Sequence, residues 1–238
     1  MNLFASAPLR GLFITGTDTG IGKTRISCAL LHLLGADGTR VAGFKPVAAG
    51  LDDIDGERIN EDVHALRAGS SVALSAAEVS PYQLEAACAP HIAAALQDCT
   101  IERPTVLASA HALAARAELL LVEGVGGFRV PFGDDWDSAD LACDLGLPVL
   151  LVVGLRLGCL NHALLSAEAI RSRGLHLVGW VANTIDPAMP HTAQNLQALA
   201  RGLGPAPCLG VVPWLAKPTP QAVAAHLGTI ALRAALDI

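Results

Sequence analysis

The 238-residue sequence predicts an α/β protein built on a single doubly wound, mostly parallel sheet with helices on both faces. Short apolar runs alternate with helix-spaced runs from one end to the other. The short runs are apolar throughout rather than at every second residue, as strands covered on both faces by helices require. Apolar types make up 52% of the chain against 16% charged and 4% aromatic, so a large core is available and Ala, Leu and Val must build most of it. No Gly/Ser-rich linker, repeat or low-complexity tract interrupts the pattern, and residues 1–238 are read as a single domain.

The elements follow in order. Leu12–Ile14 is a first strand, followed by a helix on which Ile26, Ala29, Leu30 and Leu33 share one face by their i, i+3, i+4, i+7 spacing. Val41–Phe44, Leu119–Val122, Val149–Val153 and Leu177–Val181 are further strands, and Leu209–Val212 is a sixth. Residues 107–117 and 162–172 read as helices, and a C-terminal helix is expected from about Gln221 to Leu236.

Charge and patterning exclude several classes of function. The formal net charge is −6 and the sequence pI is about 5.7, without the clustered Lys and Arg of a nucleic-acid or anionic-membrane surface. Mean hydropathy is +0.47, yet the longest apolar stretches resemble Leu147–Val153, far short of the roughly 20 residues of a membrane span. Residues 1–10 lack a basic head followed by an apolar run, so no secretory leader is read and a cytoplasmic location is expected. The six cysteines contain no Cys-x-x-Cys pair and read as reduced thiols, while the eight histidines show no zinc spacing.

In an α/β sheet, chemistry collects in the loops beyond the carboxyl ends of the strands. The first such loop reads Gly16-Thr17-Asp18-Thr19-Gly20-Ile21-Gly22-Lys23-Thr24-Arg25. It approaches the phosphate-loop pattern G-x-x-x-x-G-K-[ST], with Thr17 where the strict pattern has glycine. Glycines at 20 and 22 let backbone N–H groups turn towards phosphate oxygens at a helix N-terminus. Lys23 suits the β- and γ-phosphates and the Thr24 hydroxyl suits Mg²⁺, which makes the fold of the P-loop NTPase type and a nucleoside triphosphate with Mg²⁺ the expected ligand.

Two further strand ends bear on that loop. Lys45, in Phe44-Lys45-Pro46-Val47, is one of three lysines in the chain and brings a second cation to the γ-phosphate side. Glu123 ends an apolar strand and enters Gly124-Val125-Gly126-Gly127, where a carboxylate suits Mg²⁺ and glycines let backbone approach phosphate. Asp52, Asp53, Asp55, Glu57, Glu61 and Asp62 form an acidic loop, mostly a solvated face, of which one member could reach the metal; spacing alone does not say which. Asp134, Asp135, Asp137 and Asp140 read as a solvated loop and a helix N-terminus.

In this order, the loop from Gly16 to Thr24, Lys45-Pro46-Val47, Val122–Gly127, Leu157–His162, Gly179–Asn183 and Val212–Leu215 resemble the dethiobiotin synthetase family over residues 12–215. The resemblance implies ATP-dependent ring closure. A 7,8-diaminononanoate amine takes up CO₂, the carbamate attacks the γ-phosphate to form a carbamic–phosphoric anhydride, and the second amine closes the ureido ring. By position it implies that Lys23, Lys45 and Thr19 act in catalysis and that Thr24, Asp62 and Glu123 hold Mg²⁺. Nucleotide contacts fall on residues 20–25, Asp62, residues 123–126, Asn183, Thr184, Pro213, Trp214 and Leu215, with the Asn183 amide reading the purine edge. Substrate contacts fall on Thr19, Lys45, Ala49 and residues 158–161 (Gly158, Cys159, Leu160, Asn161), the latter across a homodimer interface.

Two positions depart from the pattern: Ala49 stands where the family usually has Ser, and Gly20 replaces a side chain carried by some members. Neither removes a charge needed for phosphoryl transfer. Two alternatives share the phosphate loop. An ATP-dependent amidoligase would need a Cys–His arrangement to supply ammonia, which is not seen. A partitioning or metallochaperone-type ATPase switch often carries an additional lysine early in the loop, where this chain has Gly-Thr-Asp-Thr.

Overall fold

The computed structural model describes residues 9–228 and 230–236. Ten strands and ten helices are described. The strands are β1 (Gly11–Gly16), β2 (Val41–Phe44), β3 (Val47–Ala49), β4 (Asp52–Ile54), β5 (Glu57–Ile59), β6 (Tyr82–Leu84), β7 (Leu119–Glu123), β8 (Val149–Leu155), β9 (Leu177–Thr184) and β10 (Cys208–Val212). The helices are α1 (Lys23–Gly35), α2 (Glu61–Gly69), α3 (Ala76–Val79), α4 (Pro90–Leu96), α5 (Arg103–Ala114), α6 (Ser138–Leu145), α7 (Cys159–Ser172), α8 (Thr192–Gly202), α9 (Pro220–Ala224) and α10 (Ile230–Ala235).

The six apolar runs form one sheet in the order β10-β9-β8-β1-β7-β2, with every pairing parallel. Successive residues of β1 enter opposite cores. Leu12 and Ile14 pack with α1, α2 and α9, and Phe13 packs with α5, α6 and α7. This explains why the strands read as unbroken apolar runs. The strand order turns back beside β1, so the loops after β1, β2 and β7 converge at one carboxyl edge.

Several local expectations are corrected. The acidic loop is largely a hairpin of β4 and β5, turned by Asp55 and Gly56 at φ +53° and +81° as an Asp-Gly two-residue turn allows. Asp62 lies not in that loop but in the first turn of α2, where the Asn60 side chain caps the Asp62 and Val63 amides. The expected C-terminal helix is two short ones. Leu227 bridges to Gly210 and the Gly228 amide donates to the Leu209 carbonyl at 2.6 Å, which pulls the chain out of helix beside β10. The helix expected at 162–172 starts at Cys159 because Gly158, at φ +94°, ends the preceding loop. The helix expected at 107–117 spans Arg103–Ala114, with Pro104 in its first turn. Asp137 and Asp140 close a capping box at the head of α6, as their type and spacing suggest.

Candidate active site

The first loop is held from below by its own apolar residue. Ile21 is buried and packs over Gly16 and Gly154, leaving no room for a Cβ at Gly154. Gly22 stands at the head of α1 with φ +88° and no side-chain cap, and a Cβ there would collide with Asn183 Nδ2. The loop amides therefore remain open to an anion at the positive end of α1. Gly20 also has positive φ, +71°, but faces open space. Asp18 pairs with Arg156 at the end of β8 and accepts the Thr19 amide at 2.8 Å.

Lys23 folds back across the loop, donating to the Asp18 carbonyl at 2.9 Å and the Gly126 carbonyl at 2.7 Å. Burial, and then the neighbouring charge of Lys45, lower its pKa to about 8, against the pull of Glu123 and Asp62. Lys45, at the end of β2, is almost fully buried and donates to Asp62 Oδ2 at 2.7 Å, Glu123 Oε1 at 2.8 Å and the Gly124 carbonyl at 3.3 Å. Burial opposes that charge, but the two carboxylates outweigh it and hold the ammonium above its ordinary pKa. Asp62 moves the other way: burial would raise its pKa, and the Lys45 ammonium keeps it below the usual carboxylate value.

Thr24 Oγ1 lies 2.5 Å from Asp62 Oδ1 and 2.8 Å from Glu123 Oε1, and its one proton serves one of them at a time. Asp62 is thus the member of the acidic segment that bonds Thr24 and Lys45, while Glu61 beside it lines the same cavity; Asp53 pairs with Arg58 and Glu57 with Arg67 at the surface. No group of three or more His, Cys, Asp or Glu is placed to hold a metal ion among the described residues, so a metal here would rest on two carboxylates and a hydroxyl. These hard oxygen donors fit Mg²⁺, which keeps several waters and takes phosphate oxygens besides. The fit is visible in the ammonium of Lys45, which bridges both carboxylates as a single shared cation.

Around this cluster lies a cavity of about 540 Å³ that Thr19, Gly20, Lys23, Thr24, Lys45, Asp62, Ala49, Val125 and Gly126 all line. Most of the polar residues that line it are among those singled out in the sequence. Unforeseen are Cys28, Asn60, Ala65, Pro218 and Pro220, which carry the cavity along α1 and α2 towards α9. Burial, with the Glu123 charge beside it, pushes the Cys28 thiol up to about 12, so it is inert at neutral pH. Arg25 lines the rim and is exposed.

The remaining expected contacts lie outside the cavity. Asn183 is buried beneath Gly22 and donates to the Ile21 carbonyl at 2.8 Å, so its amide braces the loop. Thr184 ends β9 and Leu215 follows β10, both half-buried, while Pro213 and Trp214 just after β10 are exposed, Trp214 to 55%. Gly158, Cys159, Leu160 and Asn161 open α7 beyond β8, also away from the cavity. Sequence reasoning missed Ser27, a fully buried hydroxyl on α1 that donates to Glu123 Oε2 at 2.7 Å. Its one signal is a polar residue beside the apolar stripe of α1.

Comparison with known proteins gives one answer. Residues 10–222 match a family model described as an AAA domain. The ATP-dependent dethiobiotin synthetase BioD of Aromatoleum aromaticum is 54% identical over 218 residues, covering 92% of this chain and 96% of that protein. Its namesake from a Janthinobacterium strain is 53% identical, covering 90% and 92%. Among solved structures, a ParA family ATPase from Chlorobium tepidum aligns over 96% of this chain and 98% of its own, at 13% identity and a TM-score of 0.56, a likeness of fold alone. At more than half identity over nearly the full length of both curated relatives, the chain belongs to the ATP-dependent dethiobiotin synthetase family.

Proposed function

We propose that the protein closes the ureido ring of dethiobiotin from 7,8-diaminononanoate, CO₂ and ATP, and that the cavity over the first loop is where this happens. The observation that supports it best is the second lysine. Lys45, paired with Asp62 and Glu123, and Lys23 line the same cavity, which supports a reading in which two ammonium groups flank the carbamate and the γ-phosphate. Bringing two anions together in a poorly hydrated site needs such fixed positive charge.

In this reading the amides of the first loop and Lys23 receive the triphosphate, and Asn183 with Pro213, Trp214 and Leu215 borders the purine. Thr24, Asp62 and Glu123 hold Mg²⁺, which supplies charge neutralisation on the β- and γ-phosphates. Lys45 and Thr19 face the carbamate. A carbamate oxygen forms the new bond to the γ-phosphorus as the bond to ADP breaks. The second amine then attacks the carbamoyl carbon, loses a proton, and expels inorganic phosphate. Ala49 offers no hydroxyl to the substrate, so either a backbone amide or water takes that contact or the substrate binds more weakly.

The same reading makes the protein a cytoplasmic homodimer in which the start of α7 serves the partner's site. Leu157, Leu164 and Leu165 on and before α7 expose apolar surface, and Gly158 leaves the helix amides open for a carboxylate. All six cysteines are free, and no described helix is long and apolar enough to cross a membrane. Phosphate release from Mg²⁺-ATP and bicarbonate, with and without the diamine, tests the activity. Release that requires the diamine and matches dethiobiotin formed supports it. Release indifferent to the diamine overturns it.

A further inference from the structure

We infer that Ser27 is a positioning residue for the metal site, acting through Glu123. The inference rests on the reading that Thr24, Asp62 and Glu123 hold a divalent cation with the nucleotide. Glu123 is fully buried, so its carboxylate depends on protein donors for both oxygens. Oε1 faces Lys45 Nζ and Thr24 Oγ1, each at 2.8 Å. Oε2 receives Ser27 Oγ at 2.7 Å.

Two of these three donors have other duties. Lys45 serves the reacting groups, and Thr24 must turn a lone pair, not its proton, towards a cation. Ser27 alone contacts neither. Its hydroxyl also lies 3.1 Å from the Lys23 carbonyl one turn back in α1, but both neighbours are acceptors and it has one proton. The shorter contact, to an ionised oxygen, takes that proton. Ser27 therefore fixes the rotation of the carboxylate about its last bond and keeps Oε1 directed at Thr24 and Lys45. Because Ser27 is four residues after Lys23 on the same helix, the carboxylate is tied in register with the first loop.

The test compares the parent with Ser27→Ala and Ser27→Cys, the second nearly isosteric and a weaker donor. A non-hydrolysable ATP analogue is titrated by calorimetry without metal and at a series of Mg²⁺ concentrations, with thermal unfolding of the free proteins alongside. Loss of an outer partner of a ligating carboxylate predicts half-saturating Mg²⁺ raised about 10–100-fold in Ser27→Ala and less in Ser27→Cys. Metal-free affinity should stay within about twofold, since the loop amides and Lys23 are untouched. Unchanged Mg²⁺ half-saturation in both variants overturns the inference. So does an equal loss of metal-free affinity, which would assign Ser27 to the loop. A parent whose binding ignores Mg²⁺ overturns the metal reading itself, a result distinct from both. If Ser27→Ala does not fold, Ser27→Cys decides alone.

Discussion

Removing the Lys45 ammonium leaves Asp62 and Glu123 sharing one small space without their cation. Nζ lies 2.7 and 2.8 Å from their oxygens, and the Lys45 and Glu123 side chains are 3% and 0% exposed. Breaking a buried pair by deleting one partner costs roughly 3–5 kcal/mol, because the charge left behind is uncompensated. The Asp62 side chain is 28% exposed, so water reaches one end and the lower figure, about 3 kcal/mol, applies. In a chain of this size that corresponds to a fall of about 6–12 °C in the unfolding midpoint of Lys45→Ala without metal. A divalent cation bound to the carboxylates replaces the lost charge, and at a hundredfold excess over its Kd adds about 2.7 kcal/mol. The deficit should therefore narrow in Mg²⁺, and should also narrow at low pH, where protons replace the ammonium. Thermal unfolding of parent and variant, with chelator and with Mg²⁺, reads this directly. Equal midpoints without metal, or the same gain from Mg²⁺ in both proteins, would refute the reasoning. Turnover should be lost while nucleotide still binds.

Glu123→Gln should raise the Mg²⁺ needed for turnover and lower the maximal rate, while metal-free nucleotide affinity changes little; a Mg²⁺ titration of activity checks it. Gly22→Ala meets both a φ of +88° and the Asn183 amide, so strain of roughly 1–3 kcal/mol falls on the loop and nucleotide affinity should drop about 5- to 150-fold by calorimetry. Gly20→Ala, open to solvent, should cost about 1 kcal/mol of stability with little effect on binding. Lys23 has its pKa lowered to about 8 and binds phosphate only when charged, so nucleotide affinity should be level below that pH. Above it, affinity falls by at most about tenfold per pH unit. Binding near pH 8 takes up protons, measurable as a dependence of the apparent enthalpy on buffer.

Much of the fold was legible because its sheet is buried on both faces. Runs such as Leu119–Val122 and Val149–Val153 are too short for buried helices and, with helix-spaced segments between them, read as strands of a covered parallel sheet. The phosphate loop was legible for a different reason, since Gly22-Lys23-Thr24 is demanded by backbone conformation and charge rather than by packing. What stayed hidden depends on contacts distant in sequence. Which acidic residue bonds Thr24 and Lys45 is decided by Asn60, whose side chain starts α2 at Glu61 and so aims Asp62 at them. The break after α9 comes from Leu227 and Gly228 joining β10, which no local propensity reports. Ser27 was hidden because a buried serine on a helix reads as tolerated until its partner, 96 residues away, is known. The Asp55-Gly56 turn, by contrast, was available in the sequence, but the surrounding acidic residues masked its short strands.

The central claim is that a carbamate oxygen, not water, attacks the γ-phosphate between Lys23 and Lys45. Bicarbonate labelled with oxygen-18, freshly dissolved in ordinary water, should be supplied with the diamine and Mg²⁺-ATP to excess enzyme, and the released phosphate weighed by mass spectrometry. The account predicts one heavy oxygen carried from bicarbonate into each inorganic phosphate, in step with dethiobiotin formed. Phosphate that acquires its new oxygen from the solvent would contradict it and make the protein a hydrolytic ATPase.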